Sequence, residues 1–385
     1  MYMQKLMDAV IGVIDAGEIP YIQGPDGDGK SSFVLDFIKQ RGWGGWILNG
    51  SNMDPTDLGG AISVDADGNV SRVPVHRCIR EAVEYAEAKK HYVIFIDELT
   101  SAPKAVRATM LTLASESIAG DVQLDREFVH IIMAGNPPSI AVNGTQLAPP
   151  VCTRMVHFDW KLDFDFWAEK MVAGEFAPID ASSLVVAYLK DCGEYGGEGT
   201  DGLASPAGVW RVPPTKDYAG SPRPTPRTWT RAAKLVDAFG LEDLACLGLA
   251  LRGTLGQGAG TEFVGFLRLR DEIGNPAEIL AAPDTWDIPA RGDLAYMFYS
   301  ALAIYTRGKP TEKNWRACWR LIERAEERGH KDKAVVASSA LFSLLKTKEG
   351  LHLRKTLVGP KKITGMLTFA EMFTDLKQLK STISE

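Results

Sequence analysis

Residues 24–32 read GPDGDGKSS and satisfy the pattern G-x-x-x-x-G-K-[ST] through Gly24, Gly29, Lys30 and Ser31. Glycines at those places let the main chain wrap closely, so that its N–H groups face phosphate oxygens. The lysine brings a point charge to the outer phosphates, and the serine hydroxyl can complete the shell of a Mg²⁺ ion. Gly24, Pro25, Asp26, Gly27, Asp28, Gly29, Lys30, Ser31 and Ser32 are therefore expected to line a nucleotide. The two acids are unusual there, because a carboxylate a few ångströms from a triphosphate repels it. Asp26 and Asp28 are expected to face solvent or a neighbouring subunit. Asp28 is further expected to weaken affinity in a lone subunit and to pair with a basic group across the interface.

The second half of such a site is an acid at the end of another buried strand. The run VIFIDEL supplies Asp97 and Glu98. Asp97 is expected to hold Mg²⁺ with Ser31, and Glu98 to take a proton from the attacking water. The run HIIMAGNPP ends in Asn136, whose amide can orient that water between the carboxylates and the outermost phosphate. No N-K-x-D segment of the common GTPase kind occurs, so ATP is the expected nucleotide, with adenine around Ile19 and Tyr21.

These groups need elements to carry them. Short apolar runs at 19–24, 45–50, 92–97, 129–136 and 155–160 read as buried strands of a parallel sheet. Helical patterns lie between them. SSFVLDFIKQR follows the first run, 75–90 carries Val75, Ile79, Ala82, Val83 and Ala86 on one face, and Pro103 opens a third. The fold class is α/β: a P-loop parallel sheet flanked by helices, then an all-helical lid. The α/β core spans 1–160. Residues 161–226 form an insertion and linker, because 193–226 hold seven glycines and six prolines. Residues 227–345 show apolar residues three and four apart in several helical patterns. The tail, 346–385, is basic and then amphipathic, with Phe369, Met372, Phe373, Leu376 and Leu379 in a stripe that packs on its own domain or on a partner.

The ordered set of GPDGDGKSS, DE at 97–98 and GNP at 135–137 resembles an AAA+ ATPase. Finer features resemble the MoxR-like branch. They are an insert at 53–74, the hairpin pattern before the 129–136 strand, and LAPPVCTRMVHFDW. The resemblance is good over about residues 15–160 and loose over the lid. It implies that Arg154 is an arginine finger that reaches the outermost phosphate in the next subunit. It also implies that an arginine opening a lid helix contacts the phosphates. Arg223 and Arg227 compete for that role, and Arg227 directly precedes the helical pattern. The chain departs from the family at Asp28 and at Thr153, beside the finger. A finger that acts in trans requires a ring, which the resemblance makes a hexamer.

Composition limits the partners. The chain of 385 residues is 45% hydrophobic, with a net charge of −6, which argues against a duplex-binding protein. The five cysteines form no CxxC pair and read as buried thiols in a reducing compartment. The N-terminus lacks a signal-peptide pattern and no apolar run is long enough to span a membrane, so the expected setting is cytoplasmic. The resemblance implies a protein client, remodelled or activated with a partner carrying a von Willebrand factor A domain. The hairpins at 53–74 and 117–129 would meet that client. Their small, acidic and polar residues suit switching of a partner better than threading of a chain. The alternative is a motor subunit acting on nucleic acid with a nuclease or other effector. It predicts basic loops, and only Lys346, Lys348, Arg354, Lys355, Lys361 and Lys362 of the tail supply that charge.

Overall fold

In a computed structural model, residues 2–137, 147, 149–195, 207–212, 220–345 and 353 are described. The chain divides into two compact units, Met1–Asp163 and Phe164–Glu385. Among the described residues no helix is long and apolar enough to cross a membrane.

The first unit opens with helix α1 (Tyr2–Asp15) and strand β1 (Pro20–Gln23), followed by α2 (Lys30–Arg41) and β2 (Gly44–Asn49). Short helix α3 (Pro55–Gly59) leads into a hairpin of β3 (Ala61–Val64) and β4 (Val70–Val73). Then come α4 (Arg77–Glu87), β5 (Tyr92–Asp97), α5 (Lys104–Glu116) and a small hairpin of β6 (Ile118–Ala119) and β7 (Val122–Gln123). Strand β8 (Val129–Gly135), α6 (Pro149–Cys152) and β9 (Val156–Asp159) complete it.

Five strands form one sheet in the order β2-β5-β8-β1-β9, and every pair in it is parallel. Val93, Ile94, Phe95 and Ile96 are all fully buried, because both faces of a parallel sheet are covered. Alternation sends Tyr21, Ile94, Ile96, Ile131 and Met133 into one core with Cys78, Ile79 and Ala82 of α4 and Val106, Met110 and Leu113 of α5. Ile22, Val93, Phe95 and Ile132 are buried on the other face. All five expected strands are present.

Helix α4 is shorter than its apolar pattern. His76 caps it, its Nδ1 accepting from the Cys78 N–H at 3.2 Å, so Val75 falls outside the helix and is exposed. The expected stripe of α4 therefore begins at Ile79.

The second unit is helical among its described residues: α7 (Phe164–Val172), α8 (Ile179–Tyr195), α9 (Ala207–Trp210), α10 (Pro226–Phe239), α11 (Leu244–Leu255), α12 (Gln257–Arg268), α13 (Pro276–Ala281), α14 (Gly292–Gly308), α15 (Glu312–Glu327) and α16 (Lys331–Leu344). This corrects the reading of 161–226 as insertion and linker. Helices α7 and α8 lie in that span, and α8 packs against α7, α10, α14 and α16. Six consecutive α8 residues, Leu184–Leu189, are buried. A helix buried on all sides has no amphipathic stripe to betray it. The Gly/Pro-rich residues 196–206 and 213–219, and all of the tail except Leu353, lie outside the described residues.

Candidate nucleotide site

The expected loop joins the carboxyl end of β1 to the start of α2. In an open parallel sheet, ligands bind at this edge, where neighbouring connections diverge. The Gly24 N–H donates to the Gly135 carbonyl at 3.2 Å, which joins the loop to the end of β8. Gly24 is needed for space: a Cβ there would run into the Trp160 carbonyl. Gly29 is needed for conformation. Its φ of 80° lies in the left-handed region, and a Cβ there would meet nothing.

Lys30 is the first residue of α2 and is buried. Its ammonium donates to the Gly24 carbonyl at 2.7 Å, the Pro25 carbonyl at 2.8 Å and Asn136 Oδ1 at 3.1 Å. The expected cation and the expected amide thus meet across 106 residues of sequence. Thr100 fixes the other side of Asn136, its hydroxyl donating to the Asn136 carbonyl at 3.0 Å.

Ser31 Oγ donates to Asp97 Oδ2 at 2.5 Å. A hydroxyl and a carboxylate are hard oxygen donors, the set that suits Mg²⁺ beside phosphate oxygens. Ser31 and Asp97 would hold that ion. The second Asp97 oxygen, Oδ1, accepts from the Glu98 N–H at 2.8 Å. Glu98 adopts φ 56°, ψ 34°, a left-handed conformation uncommon for a side chain of this size. Its carbonyl accepts from the Ser101 N–H at 2.9 Å, which tightens the turn after β5. Such strain concentrates at functional sites and costs about 1–3 kcal/mol.

Asp28 contradicts its expectation. It faces neither solvent nor a neighbour but is 1% exposed. Its Oδ2 accepts from the Leu162 N–H at 3.1 Å, and its carbonyl accepts from the Trp160 indole at 2.9 Å. Gly27 and Gly29, both at positive φ, turn the main chain on either side of it. The acid therefore fastens the loop to the chain beyond β9. Trp160 adds its own N–H to the Gln23 carbonyl at 2.6 Å and packs its ring 4.9 Å from Phe33. Trp160, Leu162 and Thr100 were not among the expected site residues. The indole at the end of a strand run was the visible signal for the first. Asp26 is half-buried and Ser32 is exposed.

Tyr21 and Ile19, the residues expected near adenine, are both buried. Tyr21 is buried in the core, edge-on to His157 at 5.2 Å, and burial pushes its phenol up to about 12, with a smaller push from Cys152. Ile19 is buried too and lines a cavity of about 190 Å³ at the opposite, amino edge of the sheet. Glu18, Arg126 and Arg154 line that same cavity.

Arg154 is exposed and lies two residues before β9, whose first residue pairs with Pro20 of β1. Lys30 lies beyond the other end of β1, and Asp97 is the last residue of β5. The paired length of β9 alone, Val156 to Asp159, separates the two edges by about 10 Å. Arg154 and its own chain's phosphate loop are thus on opposite edges of one sheet. In the second unit, Arg223 Nε donates to the Val212 carbonyl at 3.0 Å, whereas Arg227 is exposed in the first turn of α10.

With the strand order, the loop and the acid pair in view, the comparison with protein families agrees. Residues 21–155, about a third of the chain, match the AAA domain (dynein-related subfamily). This segment is similar to an AAA domain. It holds Lys30, Ser31, Asp97, Glu98, Asn136 and Arg154. No curated protein matches the chain. Two solved structures of NtrX from Brucella abortus are similar at low level. One, in complex with ADP, is 16% identical with a TM-score of 0.31 and covers 68% of each chain. The other is 14% identical with a TM-score of 0.30 and covers 69% of this chain and 67% of its own. Likeness at that level adds nothing to the topology described above.

Proposed function

We propose that the chain is a MoxR-like AAA+ ATPase that hydrolyses ATP between the subunits of a ring and uses the turnover to remodel or activate a protein client. One observation carries the reading. Arg154 stands on the sheet edge opposite its own Lys30 and Asp97, within a domain that otherwise carries every part of a hydrolytic site. A lone subunit meets the charge that spreads over the transferred phosphoryl with Lys30 but not with an arginine finger. A head-to-tail neighbour would supply one, and such contacts form rings where the rotation closes.

In this reading the Gly24–Gly29 main chain and Lys30 bind the phosphates, and Ser31 with Asp97 holds Mg²⁺. Glu98 accepts the proton of the attacking water. Asn136, already held by Lys30 and Thr100, orients that water. Arg227 is the better candidate for the lid contact, because the Nε of Arg223 is engaged by Val212. The exposed residues of the β3–β4 hairpin include Ile62, Val64, Asp65, Asp67 and Val70. That apolar and acidic chemistry suits a polypeptide and repels a phosphate backbone.

ATP turnover by Glu98→Gln tests the reading. Retained nucleotide binding with turnover reduced at least roughly a hundredfold is expected. Unchanged turnover would remove Glu98 as the base.

A further inference from the structure

The cavity at the amino edge of the sheet, about 190 Å³ in volume, is not part of the nucleotide site and holds a second arginine beside Arg154. Its buried lining includes Ile19, Val129 and Ile131, and its exposed lining includes Arg126, Arg154 and Glu18. A strained turn places Arg126 there. Ser117 ends α5 buried and left-handed, at φ 55°, ψ 38°. Its carbonyl accepts from the Leu124 N–H at 2.8 Å, which closes the β6–β7 hairpin and brings the chain back to the end of α5. Backbone strain of this kind concentrates at functional sites.

The guanidinium of Arg126 is fixed without being neutralised. Its Nε donates to Ser117 Oγ at 2.7 Å, and its Nη2 donates to the Ser115 carbonyl at 2.8 Å. Both acceptors are uncharged, and among the described residues Arg126 has no carboxylate partner. Two guanidinium groups lining one small cavity repel each other, and the carboxylate of Glu18 offsets only one of them. Residues 138–146 and 148 of the same unit contain no acid. The lining therefore keeps a net positive charge beside an apolar wall, where water screens it less than in bulk solvent.

We propose that Arg126 and Arg154 make this cavity a binding site for a phosphoryl group. Each guanidinium presents a fork that matches two oxygens at once. A phosphoryl group offers three strong acceptor oxygens, enough to engage both forks, whereas a carboxylate offers two. The volume agrees, since drug-sized ligands fill about 300–1,000 Å³ and a single phosphoryl group needs far less. The group has two sources. One is the outermost phosphate of a nucleotide held by a neighbouring copy, and this source rests on the shared-site reading, adding Arg126 to Arg154 on the same edge. The other is free phosphate, which needs no neighbour.

The test titrates the full chain, saturated with ADP and Mg²⁺, with inorganic phosphate in a calorimeter. Saturable binding is expected, at least roughly tenfold weaker in Arg126→Gln and in Arg154→Gln. Arg126→Lys keeps the charge and loses the fork, so it should also bind more weakly, and it decides the matter if Arg126→Gln does not fold. Acetate should bind at least roughly tenfold more weakly than phosphate. The same titration of Glu98→Gln saturated with ATP separates the sources. Phosphate binding that disappears under ATP assigns the cavity to a neighbour's nucleotide, and binding that persists assigns it to free phosphate. Phosphate affinity unchanged in the Arg126 variants, acetate binding as tight as phosphate, or no binding in either state overturns the proposal. An unaltered chain that turns over no ATP would sink the ATPase reading and leave the phosphate titration to decide this one.

Discussion

The indole N–H of Trp160 donates to the main-chain carbonyl of Asp28 at 2.9 Å, across 132 residues of sequence. The bond locks the phosphate loop to the segment that follows the last strand of the sheet. Beside it the Asp28 carboxylate takes the Leu162 N–H. An acid that the sequence presents as hostile to phosphate is thus part of the frame that holds the loop.

Asp28→Ala is therefore expected to lower, not raise, nucleotide affinity. It leaves the buried Leu162 N–H without this acceptor, at a cost of about 1–3 kcal/mol. Thermal melting should fall by several degrees, roughly 2–4 °C per kcal/mol for a unit of this size. Trp160→Phe should lower it less, by about one hydrogen bond. Tighter nucleotide binding by Asp28→Ala with unchanged melting would show that the carboxylate opposes the phosphates after all.

The two glycines of the loop should fail differently. Gly29 needs its left-handed φ and has room for a side chain, so Gly29→Asn should retain more nucleotide binding than Gly29→Val. Gly24 has no room, so Gly24→Asn and Gly24→Val should both abolish binding. Titration with a fluorescent nucleotide separates the cases. Equal loss in both Gly29 variants would contradict the conformational account.

Acid should loosen the first unit through His130. Burial, and then the neighbouring His91, lowers its imidazole from 6.5 to about 4. Its Nε2 lies 2.9 Å from His91 Nδ1, and the Trp43 ring stacks on both. Asp15 opposes the shift and Arg41 adds slightly to it. The folded state resists the proton that the unfolded state accepts. The stability this neutral histidine carries is therefore present above pH 6.5 and is lost as pH falls toward about 4. Melting curves of His130→Gln should depend less on pH across that window. An unchanged dependence would assign the titration to other groups.

The sheet was legible because each of its strands is an apolar run that ends in turn chemistry. Lys30, Ser31, Asp97 and Asn136 were legible because their motifs fall at strand ends, and they form two hydrogen-bonded pairs, Lys30 with Asn136 and Ser31 with Asp97. Asp28 was not, because its burial depends on a partner far along the chain. Tyr21 was not, because a tyrosine beside a ligand site and one packed in a core read alike. Helix α8 was hidden by its own burial, since Leu184–Leu189 show no polar face.

If each hydrolytic site is shared between two copies, mixing two inactive variants restores turnover. Arg154→Ala keeps the phosphate loop and loses the finger, whereas Lys30→Ala keeps the finger and loses the loop's cation. Each variant alone should turn over little ATP. In rings formed from equal amounts of both, about a quarter of the interfaces pair an intact loop with an intact finger. The predicted turnover is accordingly up to about a quarter of the unaltered rate. A mixture no more active than the mean of the two variants, or an Arg154→Ala chain fully active alone, would contradict the account.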